Sequence, residues 1–195
     1  VGIDLSEAMI NRAKKKASKI FKNIKANKPT FLVDEIRSMK LKKSFDIILC
    51  MFSVLGYQLN NEDVFESLRN IHRHLKNGGI FVCDLWYGPG VLTIKPSDKI
   101  KMIESKKYKL IRSAHSKLDI IKHIAEINYH LWFLKGQKLV SETVEVHKVR
   151  FFFPQEIAFF MRCAGLQLIS LTSFPTLDQQ PTDITWNILC VARSV

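Results

Sequence analysis

Four places along this chain put polar or polarisable side chains where an apolar run stops, and each suits a different piece of chemistry. Residues 1–3 end in Asp4, followed by Leu5 and Ser6. A carboxylate at a strand end can accept both hydroxyls of a ribose, although it can equally cap the helix behind it. Residues 30–33 end in Asp34-Glu35-Ile36. An acid there can accept an exocyclic amine such as adenine's while Ile36 covers the base, or it can simply sit in a solvated turn. Spacing leaves Asp34 and Glu35 both eligible. Residues 45–50 run into Met51-Phe52-Ser53, then Gly56-Tyr57. Met and Phe at an exposed strand end suit a pocket for a sulfonium and its methyl group. The fourth place is Asp84 in the run 80–86, which leads into Tyr87-Gly88-Pro89.

The elements that must position these groups can be read from periodicity. Ser6 caps a helix carrying Met9, Ile10, Ala13, Ala17, Ile20 and Phe21 on its apolar side, with Lys14–16 and Lys19 in water. Asn27-Lys28-Pro29 breaks it. The nearly continuous apolar run 45–52 predicts a strand buried on both faces of a parallel sheet. A helix from about Glu62 turns Val64, Phe65, Leu68, Ile71 and Leu75 inward, and Asn77-Gly78-Gly79 closes it. Strand 80–86 follows, ended by Gly88-Pro89-Gly90. This β-α-β-α-β rhythm predicts an α/β, doubly wound sheet, whose ligands bind beyond the carboxyl ends of the strands.

Residues 91–150 change character. Alternation puts Ile121, Ala125, Ile127, Tyr129, Leu131 and Phe133 on one face, with a hairpin turn at Lys135-Gly136-Gln137. The expected organisation is a core over 1–90, an antiparallel insertion over 91–150, and the rest of the core over 151–195. In that last part Pro154 opens a helix with Phe159, Phe160, Cys163 and Leu166 inward, Gly165 ends it, and strands follow at 166–174 and 184–192.

The bulk numbers set limits. The chain has 195 residues, 47% of them apolar, which suits one folded domain and argues against disorder. No apolar run reaches the roughly 20 residues of a membrane span. There is no basic start followed by an apolar stretch, so a cytoplasmic protein is expected. The four cysteines Cys50, Cys83, Cys163 and Cys190 form no metal-ligand spacing and are expected to be buried thiols in a reducing compartment; no metal site is expected. The net charge of +12 favours anionic partners. No basic, aromatic-interleaved motif of an RNA-binding module accompanies it, so nucleic acid is not the expected partner.

Several stretches resemble class I S-adenosylmethionine (SAM)-dependent methyltransferases. Residues 1–6 resemble that family's second strand and the helix after it, 45–50 its fourth strand, and His74-Leu75-Lys76-Asn77-Gly78-Gly79-Ile80-Phe81 its turn into the fifth. A closer resemblance is to sugar-nucleotide N,N-dimethyltransferases of the dTDP-amino-hexose type. Its carriers are Met51-Phe52-Ser53-Val54-Leu55-Gly56-Tyr57, Asp84-Leu85-Trp86-Tyr87-Gly88-Pro89, Val146-His147-Lys148-Val149-Arg150-Phe151-Phe152 and Met161-Arg162-Cys163-Ala164-Gly165-Leu166. The resemblance implies a Rossmann-like fold, SAM as cofactor and a small-molecule acceptor. It puts Asp4 with Leu5 at the ribose, Asp34 or Glu35 with Ile36 at adenine, and Met51, Phe52 and Ser53 at the methionine end. It also implies that the antiparallel insertion covers the substrate, and a homodimer is a further possibility. One departure stands out: the family's first strand and its glycine-rich loop have no counterpart before Asp4. The chain opens on Val1, not Met, and a preceding strand and loop are expected.

Methyl transfer needs the acceptor placed about 3 Å from the methyl carbon and water excluded; a base helps when the acceptor arrives protonated. His147 is the first candidate for that base, with Tyr57 as its companion and Tyr87 and Asp84 behind them. Trp86 and Tyr87 are expected to shape the acceptor site. Arg150, Lys148 and Lys95 are candidates for a diphosphate, by charge and placement alone. His72, His74 and His123 read as surface residues. The expected activity is methyl transfer to the amine or hydroxyl of a nucleotide-linked sugar. Alternatives are another small metabolite as acceptor, or a non-catalytic binding protein on the same fold.

Overall fold

The structure is a computed structural model that describes residues 1–22, 28–105 and 107–195. Asn27 of the expected helix break lies outside the described residues. Strand β1 (Gly2–Asp4) pairs in parallel with β2 (Phe31–Val33), joined through helix α1 (Glu7–Ile20). Ser6 caps α1 as expected, its hydroxyl accepting the Met9 N–H at 3.3 Å. Of the apolar side expected to face inward, only Ile10 is buried, while Met9 and Ile20 are half exposed. Two strands of three residues each are too short to cover one side of a 14-residue helix.

A second sheet has the order β3-β4-β10-β9, formed by β3 (Phe45–Cys50), β4 (Leu75–Trp86), β9 (Leu166–Phe174) and β10 (Asn187–Ser194). β3 is parallel to β4, and β10 runs antiparallel to both its neighbours. Helices α2 (Asn61–His74) and α4 (Pro154–Cys163) pack on one face of it. Val64, Leu68 and Ile71 of α2 and Ile157 and Met161 of α4 are fully buried there, each apolar side chain contributing roughly 1.5–3 kcal/mol. Cys50, Cys83 and Cys190 stand in register across that buried face. On the opposite face Leu49, Val82 and Val191 form the matching row. Ile47 and Leu49 are 59% and 65% exposed. The strand expected to be buried on both faces is therefore covered on one. Among the described residues, β1 and β3 each pair along a single edge.

Other boundaries moved for local reasons. α2 stops at His74 because Leu75 turns extended and pairs with Phe45, so the left-handed Gly78 (φ +75°) lies beyond the helix, at the register shift of β3 against β4. Gly88-Pro89-Gly90 opens a short helix, α3 (Gly88–Ile94), where a strand end was expected. Gly90 is obligatory in it, since a Cβ would lie 1.7 Å from the Thr185 carbonyl oxygen. Pro154 opens α4 and Gly165 (φ +83°) follows its end, but the inward residues are Ile157 and Met161, while Phe159 and Cys163 are exposed. β10 starts at Asn187, after an exposed Ile184.

The third sheet is antiparallel, in the order β5-β6-β7-β8: β5 (Lys99–Glu104), β6 (Tyr108–Asp119), β7 (Ile124–Lys135) and β8 (Lys138–Arg150). Gly136 (φ +60°) makes the expected hairpin turn. Ala125, Ile127, Tyr129, Leu131 and Phe133 share one face, as alternation requires, while Ile121 falls in the turn before β7 and is exposed. That face docks on the core through Ala125, Ile127 and Val149 against Trp86. Two features fasten it. Gly56, in the 3-10 turn Val54–Tyr57 after β3, comes so close that a Cβ would sit 2.9 Å from Val149 Cγ1 and 3.0 Å from the Arg150 carbonyl oxygen. Arg150 is buried and donates to Asn61 of α2 at 2.7 Å and to Glu156 of α4 at 2.5 Å. Among the described residues no helix is long and apolar enough to cross a membrane.

Candidate functional site

Side-chain contacts join the segment after β2 to α2, the helix that follows β3. Arg37, after β2, binds Glu35 and reaches Asp63 of α2 at 2.5 Å, tying the first sheet to the helix that follows β3. Asn70 of α2 donates to the carbonyls of Ile36 and Met39, at 2.9 and 3.1 Å. His74, read from the sequence as a surface residue, is buried in the same seam, where its Nε2 accepts the Leu41 N–H at 3.0 Å.

At the end of β1 one oxygen of Asp4 accepts the Ser6 N–H at 2.7 Å. The other makes no hydrogen bond among the described residues, and the carboxylate is exposed beside Leu5, itself 71% exposed. The Asp34 N–H donates to the Asp4 carbonyl at 3.2 Å, so the two acids are neighbours. Glu35 is engaged by Arg37, which leaves Asp34 the freer of the pair. Ile36 packs against the core.

After β3 the backbone does something costly. Phe52 and Ser53 are consecutive non-glycine residues at φ +67° and +55°, each worth roughly 1–3 kcal/mol of strain. Asp84, buried near the end of β4, holds that turn: it accepts the Ser53 N–H at 3.0 Å and the Ser53 hydroxyl at 3.2 Å. The turn leaves Phe52 91% exposed at the strand ends beside a partly buried Met51. Asp84, read as a possible base, is thus engaged by Ser53.

The two residues singled out as catalytic meet. Tyr57 leaves the 3-10 turn and places its hydroxyl 3.1 Å from Nδ1 of His147 on β8. The other ring nitrogen of His147 lies 3.3 Å from a Glu145 oxygen. A carboxylate only accepts, so Nε2 carries the proton and Nδ1 accepts from the tyrosine. Tyr129 contacts the imidazole edge-on at 5.4 Å, and the Arg112 guanidinium lies 5.0 Å from the centre of the Tyr129 ring. Burial, and secondarily the Tyr129 phenol, hold Tyr57 above the ordinary tyrosine range.

Several sequence readings need correction. Arg150 is enclosed by Asn61, Glu156 and the rings of Phe152 and Phe160, so it has no free guanidinium for a diphosphate. Lys148 pairs with Glu126 on the other face of the antiparallel sheet. Tyr87 is buried in the main core. Trp86 needs no such correction: it is half-buried, edge-on to Trp186 at 5.1 Å. Glu145, Tyr129 and Arg112 were missed. Their signal was available, since Glu145 and His147 are two apart on one strand and Tyr129 belongs to the alternating face. Two concavities of about 430 and 640 Å³ lie elsewhere, one between residues 37–42 and α2 and one between α4 and β9; none of the strand-end residues lines them.

Residues 1–79 match a family model described as "Methyltransferase domain". Over 88 residues the chain is 27% identical to the dTDP-3-amino-3,4,6-trideoxy-alpha-D-glucopyranose N,N-dimethyltransferase of Streptomyces venezuelae, a match covering 45% of this chain and 33% of that protein. The match thus spans about a third of that relative's length. A putative methyltransferase of Bacillus subtilis, YqeM, is 25% identical over 183 residues, or 93% of this chain and 69% of that one. Among solved structures, a SAM-dependent methyltransferase from Clostridium acetobutylicum superposes with a TM-score of 0.80 at 16% identity, covering 98% of this chain and 73% of that one. The chain has the α/β fold of the class I SAM-dependent methyltransferases and, over residues 1–79, the sequence pattern of their methyltransferase domain.

Proposed function

We propose that this protein transfers a methyl group from SAM to the amine or hydroxyl of a nucleotide-linked sugar in a reducing, cytoplasmic compartment. The observation that carries this reading is the Tyr57–His147 contact, which joins the turn after β3 to the antiparallel sheet in one proton-accepting pair. The residues fit the cofactor: Asp4 offers a free carboxylate oxygen for a ribose, Asp34 lies next to it for adenine, and the exposed Leu5 and Phe52 with the partly buried Met51 offer an apolar surface. SAM, when bound, supplies the methyl group as a sulfonium. The free thiols agree with a reducing compartment.

In this reading the acceptor's proton moves to the Tyr57 oxygen as Tyr57 passes its own proton to Nδ1 of His147. Glu145 then faces a fully protonated imidazolium and stabilises it. Asp84 acts through Ser53, keeping Phe52 in place. Trp86 borders the acceptor. The amino-sugar acceptor is supported by the dimethyltransferase relative, and the Tyr57–His147 pair accounts for an acceptor that arrives as an ammonium. The test is transfer of labelled methyl from SAM to dTDP-linked amino sugars by the natural full-length protein. Label in the sugar nucleotide is the expected result. Turnover on other small amines with none on any sugar nucleotide would move the acceptor to another metabolite.

A further inference from the structure

The face of the antiparallel sheet that carries His147 also carries a group of cations with no assigned role. Register places Lys99 opposite Ala114 and Lys101 opposite Arg112, and Ala114 lies opposite Tyr129. Pairing continues from Tyr129 to Glu145 and from Ile127 to His147. Residues paired across a sheet project to the same side, so Lys99, Lys101, Arg112, Tyr129, Glu145 and His147 share one face. It is the face that docks on Trp86 through Ala125, Ile127 and Val149.

Charge is sorted between the two faces. On the site-facing side of β5–β8 the one acid is Glu145, and it is held by His147. Glu104, Asp119, Glu126 and Glu142 all project to the other side, where Lys109, Lys122 beyond the strand end, and Lys148 pair with acids. Lys99, Lys101 and Arg112 are exposed and form no ion pair among the described residues. Arg112 is held by its position over the Tyr129 ring, which leaves its N–H groups free. From the Arg112 guanidinium to the His147 ring run two contacts, of 5.0 and 5.4 Å, a span that a sugar ring with its glycosidic phosphate bridges.

We infer that Lys99, Lys101 and Arg112 form the subsite for the diphosphate of a nucleotide-linked acceptor, taking the role that charge alone suggested for Arg150. This rests on the methyl-transfer reading for its orientation: the diphosphate lies over β5 and β6, and the sugar extends toward Tyr57 and His147. Arg112 matches paired phosphate oxygens with its planar fork, and the two lysines add point charges.

The test is thymidine diphosphate titrated calorimetrically into the natural full-length protein, with thymidine monophosphate and inorganic pyrophosphate as separate arms. The expected result is binding of the diphosphate that weakens with salt, and a loss of about tenfold or more in affinity for Lys101→Ala combined with Arg112→Ala. Lys101→Glu alone should weaken it too. Lys148→Ala, on the opposite face, should bind as the wild type does. Pyrophosphate binding as tightly as the nucleotide would mark a bare anion site and overturn the nucleotide-linked reading. So would unchanged affinity in the double variant, or no binding by the wild type. The readout is independent of turnover: a protein that binds the diphosphate through these residues but methylates no sugar nucleotide keeps the subsite and loses the methyl-transfer reading.

Discussion

The Tyr57 hydroxyl lies 3.1 Å from Nδ1 of His147, although 90 positions separate the two in the chain. Gly56 makes the meeting possible, because only a residue without a side chain lets the turn after β3 approach β8 so closely. In the proposed reaction His147→Ala should lower kcat by about 10²–10⁴ with a smaller change in KM. Tyr57→Phe removes the oxygen that takes the acceptor's proton and should lower kcat by a comparable factor. Steady-state kinetics at saturating acceptor checks both.

The raised Tyr57 gives a pH dependence of known sign. A phenol held above its ordinary range keeps its proton in the folded state after an unfolded tyrosine would lose it. Its contribution to stability is therefore complete below the ordinary tyrosine range and lost as pH rises through the higher folded value. Difference absorbance titration of wild type against Tyr57→Phe should show one phenol ionising later than a free tyrosine.

Asp84 and Phe52 should separate stability from binding. Asp84→Ala leaves the Ser53 N–H and hydroxyl buried without a partner and should destabilise by about 1–3 kcal/mol, read in urea unfolding. Phe52→Gly relieves a left-handed residue and should hold or raise stability by up to about 1 kcal/mol. The same variant should weaken SAM binding, because it removes the most exposed apolar side chain at the strand ends.

Arg150 should behave as a structural clamp. Arg150→Ala strands Glu156 and Asn61 where β8, α2 and α4 meet and should cost about 3–5 kcal/mol. Thermal unfolding reads it. A variant of wild-type stability whose only defect is a raised KM for the acceptor would contradict this placement.

These residues also mark how far the sequence could be read. The carboxyl ends of the strands, the hairpin turn at Gly136 and the alternating face of β7 were legible, because local periodicity and turn chemistry decide them, whereas the close approaches at Gly56 and Gly90 were not. Burial on both faces of β3 was not, since it depends on what lies across the sheet: Ile47 and Leu49 are apolar but open. Arg150 misled because its charge is visible in sequence while its partners are not: Asn61 comes from a distant helix and Glu156 from the helix after β8, folded back onto it. Asp34 and Glu35 could not be distinguished by spacing; Arg37, reaching back from two residues on, engages Glu35 and leaves Asp34. The Tyr57–His147 contact needed the docking of β8 against the turn after β3, which local sequence does not encode.

The cysteines offer a check of the core. Cys163 is exposed, whereas Cys50, Cys83 and Cys190 line the buried face, and burial pushes the Cys50 thiol up to about 12. Near neutral pH a thiol reagent should label Cys163 quickly and the other three only on unfolding, as mass spectrometry of the labelled peptides would show.

Calorimetric titration of SAM into the natural full-length protein, beside its Asp4→Asn variant, tests cofactor binding directly. One SAM should bind per chain and, because one carboxylate oxygen of Asp4 is free for the ribose, affinity should fall by about tenfold or more in the variant. Absence of SAM binding by the wild-type protein would contradict the methyl-transfer reading, and the fold would then serve binding without methyl transfer.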